Sequence, residues 1–223
     1  MQKQKLKTAS DKSKLYEYIN YQEQQLLKGA NSPAHYPTGV ISPEDLIFRT
    51  RRNLTFEFDK KVSDKMAFIL TCVDSGEQEY WAHINLKSYR KHFLRFLINS
   101  HSVPIEQIDS TWHVDHIFNK AYARKNDIKY VRMCLIPGEQ NMSYGRKLEK
   151  NILKKIEGKR PIYLMSYLQI LKVFGIAIPK SKEDYENRKD EIGNVLLAKS
   201  LSGYSLRPPS FFLDRYFEHY YIL

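Results

Sequence analysis

Cysteine, acidic residues and long uninterrupted apolar segments are all scarce in this sequence. Only two cysteines occur among 223 residues, and no Cys-x-x-Cys pair is present, which excludes a zinc ribbon. Cys72 and Cys134 each stand in an apolar stretch, so we expect both to be small buried side chains. A chain of this length can bury a sizeable core without disulfides, so nothing requires an oxidising compartment.

No segment has the form of a targeting or membrane-spanning sequence. Residues 1–7 lack the apolar core of a signal peptide. The most apolar run, residues 162–178, is marginal in length for a membrane span. Gln169, Lys172 and Gly175 interrupt it. We therefore expect a buried core helix there, a cytoplasmic location, and no membrane partner.

Acidic residues are outnumbered, because 25 Asp and Glu stand against 36 Lys and Arg, giving a net charge of +11. A positive charge of this size favours a polyanionic partner, usually nucleic acid. The charge is concentrated in residues 119–160, where twelve basic and four acidic side chains hold +8 of the +11. This segment is therefore the predicted contact with a nucleic-acid backbone.

The apolar patterns predict an α+β protein in three parts, with boundaries at 1–104, 105–160 and 161–223. In the first part, residues 1–30 are basic and helix-prone, and residues 31–42 are predicted to be a loop. Residues 53–84 have the alternation of strands, with a hairpin turn at Asp74-Ser75-Gly76. A helix follows, which Ser88 is placed to cap.

The third part is predicted to be helical. A buried helix over 161–178 is followed by a charge-mixed helix over 181–200 that begins at Ser181 and has Asp184 in its first turn. Residues 211–223 contain six aromatic side chains. We expect them to form a docking helix that closes the core, while a homodimer or protein-partner surface stays open.

The middle part carries the chemistry-bearing residues. Residues 112–117 (Trp-His-Val-Asp-His-Ile) form a short apolar strand that holds His113, Asp115 and His116. Side chains alternate along a strand, so His113 and Asp115 share one face while His116 takes the other. Asp115 and His116 can then serve one site only if the strand twists or ends near Ile117.

A second strand and a basic helix follow. Residues 130–136 are long and apolar enough to pair antiparallel with the first strand, and Pro137-Gly138 ends them. From Arg146 onward, apolar side chains share one helix face and lysines spread over the rest. Asn141 and Ser143 stand at the start of this helix, where free backbone amides attract phosphate.

This order of residues resembles the HNH, or ββα-metal, endonuclease family in its Asp-His…Asn variant. The matching residues are 114–117, the strand 130–136, and Glu139-Gln140-Asn141 leading into Gly145-Arg146-Lys147. The same variant is found in RNA-guided CRISPR nucleases and in phage-defence proteins. The match covers less than a quarter of the chain.

The resemblance implies a ββα-metal core and a metal-dependent endonuclease acting on DNA. Asp115 would bind a divalent metal, His116 would be the general base that deprotonates water, and Asn141 would be a second oxygen ligand. Oxygen ligands favour Mg²⁺ or Mn²⁺, whereas ligation by His113 would admit Zn²⁺ or Ni²⁺. The side chains predicted to bind nucleic acid are basic: Arg124, Arg146, Lys147, Lys150 and Lys154.

Several alternatives stay open at this point. A non-catalytic nucleic-acid-binding protein could keep the same ββα shape. Asp115 and His116 could also form a buried hydrogen bond in an ordinary α+β domain. RNA could be the substrate, because basic charge alone does not distinguish it from DNA. The biological role is equally open among a phage-defence effector, a mobile-element endonuclease and a toxin.

Overall fold

The computed structural model describes residues 13–31, 37–50, 52–147, 160–164 and 167–199. Within these ranges, an antiparallel sheet has helices packed against both of its faces. The predicted α+β class is therefore confirmed.

The strands of the described residues are paired antiparallel throughout. Their bounds are β1 Pro37–Val40, β2 Leu54–Phe58, β3 Ala67–Cys72, β4 Gln78–His83, β5 Trp112–His116, β6 Tyr130–Pro137 and β7 Ile162–Leu164. Strand β6 joins the sheet together, because its first residues pair with β1 and β4 while its last residues pair with β5. The residues on β5 are thus fixed through β6 to the rest of the sheet.

The described helices range from six to 19 residues in length, and α1 precedes all of the described strands. Their bounds are α1 Ser13–Asn31, α2 Pro43–Arg49, α3 Tyr89–His101, α4 Lys120–Lys125, α5 Gly138–Lys147, α6 Tyr167–Val173 and α7 Lys182–Lys199. None of them combines the length and the apolarity that crossing a lipid bilayer requires.

Two separate apolar cores lie on the two faces of the β5–β6 pair. The first core lies beneath α1 and α3 and includes Leu15, Phe93 and Val114. The second lies beneath α4, α5, α6 and α7 and includes Cys134 and Leu171. Alternate residues of β5 and β6 therefore face different sets of helices, as a two-residue side-chain period requires.

Several local predictions are confirmed. Helix α1 forms in the helix-prone basic segment, and β2, β3 and β4 form within residues 53–84. Helix α7 begins after Ser181, whose Oγ accepts a hydrogen bond from the backbone N–H of Asp184 over 3.1 Å. Both Cys72 and Cys134 are buried and free. The aromatic C-terminal residues 211–223 lie outside the described residues.

Three predictions were wrong in part. The helix expected over 161–178 is shorter, because β7 takes its first residues and pairs with β1. The loop expected over 31–42 contains β1, which supplies the other side of that pairing. Short apolar runs fit a strand or a helix equally well, and only the distant partner decides between them. Ser88 does precede α3, but its side chain makes no capping hydrogen bond.

Candidate active site

Those predicted site residues that the structure describes lie on β5, α4 and α5, and β6 connects α4 to α5. Strand β5 pairs with β6 so that Asp115 stands opposite Cys134 and His116 stands opposite Met133. Asn119 caps the intervening helix α4 through its side-chain oxygen. Helix α5 begins directly after β6 and contacts both strands. Strand β5 ends at His116, just before Ile117. This is where the strand has to end if Asp115 and His116 are to share one site.

Asp115 and His116 are neighbours in the chain but face opposite sides of the sheet. Val114 lies in the core beneath α3, and Met133, opposite His116, lies in the same core. Cys134, opposite Asp115, lies in the core beneath α4 to α7. A site shared by the two side chains is therefore possible only at the end of β5, where the chain leaves the sheet.

Asp115 is held by a lysine from a distant part of the chain. Lys172 on α6 donates from Nζ to Oδ2 of Asp115 over 2.7 Å. The lysine side chain is 6% exposed, whereas that of Asp115 is 22% exposed. A hydrogen bond between two charged groups is stronger than one between neutral groups. The carboxylate is thus accessible to solvent and already in contact with a buried cation.

His113 connects β5 to the first turn of α5. Its Nδ1 lies 3.4 Å from Nδ2 of Asn141, which donates to it in the tautomer that carries the ring proton on Nε2. Its ring also rests against Gly138, where an added Cβ would lie only 2.8 Å from Nε2. This contact involves the amide nitrogen of Asn141 and not the amide oxygen.

His116 is buried against α3. It is 3% exposed, and its ring centroid lies 4.6 Å from that of Tyr89. The Nζ of Lys120 lies 5.2 Å from the centre of the same tyrosine ring. Burial lowers the pKa of His116 to about 4, Asp115 opposes this shift, and Lys120 and Lys172 add to it. The imidazole is therefore neutral at pH 7.

One nitrogen of His116 makes no hydrogen bond within the described residues. Its Nε2 is buried and has no hydrogen-bond partner among the described residues. A buried polar atom without a partner is costly, so it is retained where it has a role or where a ligand completes it. A neutral imidazole with one unpartnered nitrogen therefore lies at the end of β5.

The oxygen atoms near β5 that could bind a metal ion belong to two side chains. Asp115 on β5 has a carboxylate, and Asn141 on α5 has an amide whose nitrogen, not its oxygen, contacts His113. Such hard donors suit Mg²⁺ or Mn²⁺. The ammonium of Lys172, in contact with Oδ2, already stands as a cation at the carboxylate. In the described part of the chain, no three His, Cys, Asp or Glu side chains form a metal-binding group.

The predicted nucleic-acid-binding residues are only partly described. Arg124 is exposed in the last turn of α4, close in sequence to the end of β5. The backbone of Arg146 and Lys147 lies in α5. The side chains of these two residues, and the whole of Lys150 and Lys154, lie outside the described residues.

Lys172 and Tyr89 are site residues that sequence reasoning missed. For Lys172 a signal was present, because a charged residue inside an apolar run needs a partner when the run is buried. The other two interruptions of that run also have structural roles. Gln169 donates to the backbone carbonyl of Ile117 over 3.1 Å, and Gly175 takes a φ of 70° just after α6. Nothing comparable in the sequence indicated that Tyr89 would lie beside His116.

Comparison of the chain with models of protein families, with curated proteins and with solved structures found no match. The function of the chain is therefore inferred from the geometry and charge of the residues around β5. Three features support this inference: the partly exposed carboxylate of Asp115, the unpartnered nitrogen of His116, and the anchored amide of Asn141.

Proposed function

We propose that this protein is a metal-dependent endonuclease that hydrolyses phosphodiester bonds of DNA and is built on a ββα-metal core of the HNH type. The observation that supports this most is the association of β5, β6 and α5. These elements bring Asn141 against the strand that carries Asp115 and His116. A carboxylate, an amide oxygen and a neutral imidazole are the groups that this chemistry needs.

The metal would be held by Asp115 and Asn141. When bound, a divalent cation stabilises negative charge on the scissile phosphate and on the leaving oxygen. Asp115 contributes the negative charge that attracts the ion, and the contact with His113 keeps Asn141 close to β5. His113 then acts by positioning Asn141, and its ligation of the metal stays a prediction.

His116 would accept the proton of the attacking water at Nε2. A base must be unprotonated before the reaction, and burial keeps His116 neutral at pH 7 by lowering its pKa to about 4. The same burial makes it a weaker base than a free imidazole. A negatively charged phosphate close to the ring would raise its proton affinity during the reaction.

The positive charge of residues 119–160 supports a nucleic-acid substrate. Residues 119–160 hold +8 of the chain's +11, and they follow directly after β5. Exposed Arg124 belongs to this segment. Lysine and arginine side chains bind the phosphate backbone by releasing its counterions, so affinity should fall steeply with salt.

A specific observation favours a second candidate, a non-catalytic nucleic-acid-binding protein. The carboxylate of Asp115 is already paired with the buried ammonium of Lys172. Such a pair can be a structural ion pair that fixes α6 to β5. The protein would then bind nucleic acid through its basic segment without cutting it.

Cleavage assays separate the two candidates. Supercoiled plasmid and total RNA are incubated with Mg²⁺, Mn²⁺, Zn²⁺ or chelator, and products are followed over time. His116→Ala should lower the cleavage rate by about 10²- to 10⁴-fold with DNA affinity unchanged. His83→Ala, which removes a half-buried histidine from β4, is the matched control and should cut normally. Wild-type cleavage by His116→Ala would reject His116 as the base, and binding without metal-dependent cleavage would support the second candidate.

A further inference from the structure

Lys172 reaches the site from inside the core. Its neighbours on α6, Leu171 and Val173, are 0% and 2% exposed, and Lys172 itself is 5% exposed. A long lysine side chain can pass its methylene groups through an apolar layer while its ammonium reaches a polar partner. Here the ammonium ends 2.7 Å from Oδ2 of Asp115, 57 residues away in the chain.

A divalent cation at Asp115 would have to share this carboxylate with the lysine. Two cations on one carboxylate lie within a few ångströms of each other, where repulsion is large in a partly buried site. Asn141, the second proposed ligand, is uncharged and cannot offset the added charge. A bound phosphate would add negative charge at the same place and reduce this repulsion.

We propose that Lys172 competes with the divalent cation for Asp115, so that the metal binds weakly until nucleic acid is bound. This inference rests on the proposed function, since it takes Asp115 to be the metal ligand. Lys172 is a positioning residue in this scheme, because it acts through Asp115. The lysine and the metal are coupled thermodynamically, so removal of one must strengthen binding of the other.

Calorimetric titration with Mn²⁺ alone tests the competition. Without nucleic acid, Lys172→Met should bind Mn²⁺ about ten- to a hundredfold more tightly than the wild type. Lys172→Gln, which keeps a hydrogen-bond donor without the charge, should change the affinity in the same direction. Lys172→Arg keeps the charge and should bind as weakly as the wild type. Lys182→Met removes an exposed lysine from α7 and controls for net charge.

A second titration tests the dependence on nucleic acid. In a His116→Ala background, which prevents cleavage, a saturating DNA duplex should raise the Mn²⁺ affinity. The increase should be larger with Lys172 present than in the Lys172→Met variant. An equal increase in both would overturn the coupling.

The outcomes distinguish this inference from the proposed function. Equal or weaker Mn²⁺ binding by both Lys172→Met and Lys172→Gln would overturn the competition, as would tight binding by Lys172→Arg. Asp115→Asn should abolish the gained affinity in the Lys172→Met background. If Asp115→Asn leaves Mn²⁺ affinity unchanged in both backgrounds, Asp115 is not a metal ligand, and the proposed site fails together with the inference. If only the lysine variants behave unexpectedly, the proposed function stands and the role given to Lys172 does not.

Discussion

Replacing Glu79 should destabilise the fold strongly, because this carboxylate on β4 balances two buried arginines. Its Oε1 lies 2.8 Å from Nη1 of Arg52 and 3.8 Å from Nη1 of Arg132. Its Oε2 accepts a hydrogen bond from Nε1 of Trp81 over 3.1 Å. The side chain of Glu79 is 1% exposed, and those of the arginines are 8% and 5% exposed.

The expected loss in the free energy of unfolding follows from the burial of Glu79 and the two arginines. Glu79→Gln keeps the shape and one acceptor oxygen but removes the negative charge from both guanidinium groups. Removing one partner of a buried ion pair costs about 3–5 kcal/mol. That is a large part of the roughly 5–15 kcal/mol by which a typical domain is stable. Urea unfolding at pH 7, followed by circular dichroism, measures the change in the free energy of unfolding.

A matched control is available on the neighbouring hairpin. Glu57 on β2 pairs with Lys60, but both side chains are exposed, so Glu57→Gln should leave the free energy of unfolding nearly unchanged. A loss below about 1 kcal/mol for Glu79→Gln would refute the argument that buried counter-charge holds this region together.

The lowered pKa of Glu79 predicts that the stability of the fold depends on pH under acidic conditions. Burial alone would raise the pKa of Glu79, but Arg132 and Arg52 outweigh it and lower the pKa below the ordinary value. A group whose pKa is lower in the folded state stabilises the fold above its unfolded pKa, which is about 4.3 for glutamate. This contribution is lost as pH falls through the folded-state pKa. The difference in stability between wild type and Glu79→Gln should therefore shrink as the pH is lowered below about 4.

Two further substitutions test the neighbourhood of the site. Gly138→Ala would put its Cβ 2.8 Å from Nε2 of His113, so the half-buried ring must move, and we expect a loss of about 0.5–1.5 kcal/mol in thermal unfolding. Gly193→Ala on α7 meets nothing within 4 Å and should be neutral or stabilising; equal effects of the two would contradict the contact. Arg124→Ala should weaken DNA binding and reduce the slope of log affinity against log salt by about one unit. An unchanged slope would mean that the DNA path does not pass α4.

The local geometry around β5 was predictable from the sequence because it depends on a short-range period. Alternation placed His113 and Asp115 on one face and His116 on the other, and the polar residues after Ile117 indicated where the strand ends. The charge-mixed pattern of α7 and its serine cap were predictable for the same reason, because both depend only on residues close together in the sequence. Whether Asp115, His116 and Asn141 perform catalysis stays a prediction.

What could not be predicted depends on contacts between distant segments. The pairing of β1 with β7 joins residues more than a hundred positions apart, and neither segment has enough length or periodicity to reveal it. The ion-pair partner of Asp115 could not be predicted from the sequence either. Lys172 interrupts an apolar run and so needed a buried acceptor, but nothing in the sequence indicated which carboxylate would serve.

The opposite orientation of Asp115 and His116 has a consequence for how this site could change in evolution. Tyr89 of α3 contacts His116, and Lys172 of α6 contacts Asp115, so adjacent residues in the chain depend on separate cores. Substitutions beneath α3 can alter the packing of the imidazole, and substitutions beneath α6 can alter the ion pair of the carboxylate. The packing of the two side chains can therefore change separately, but their charges stay coupled, because Asp115 and Lys172 both shift the pKa of His116.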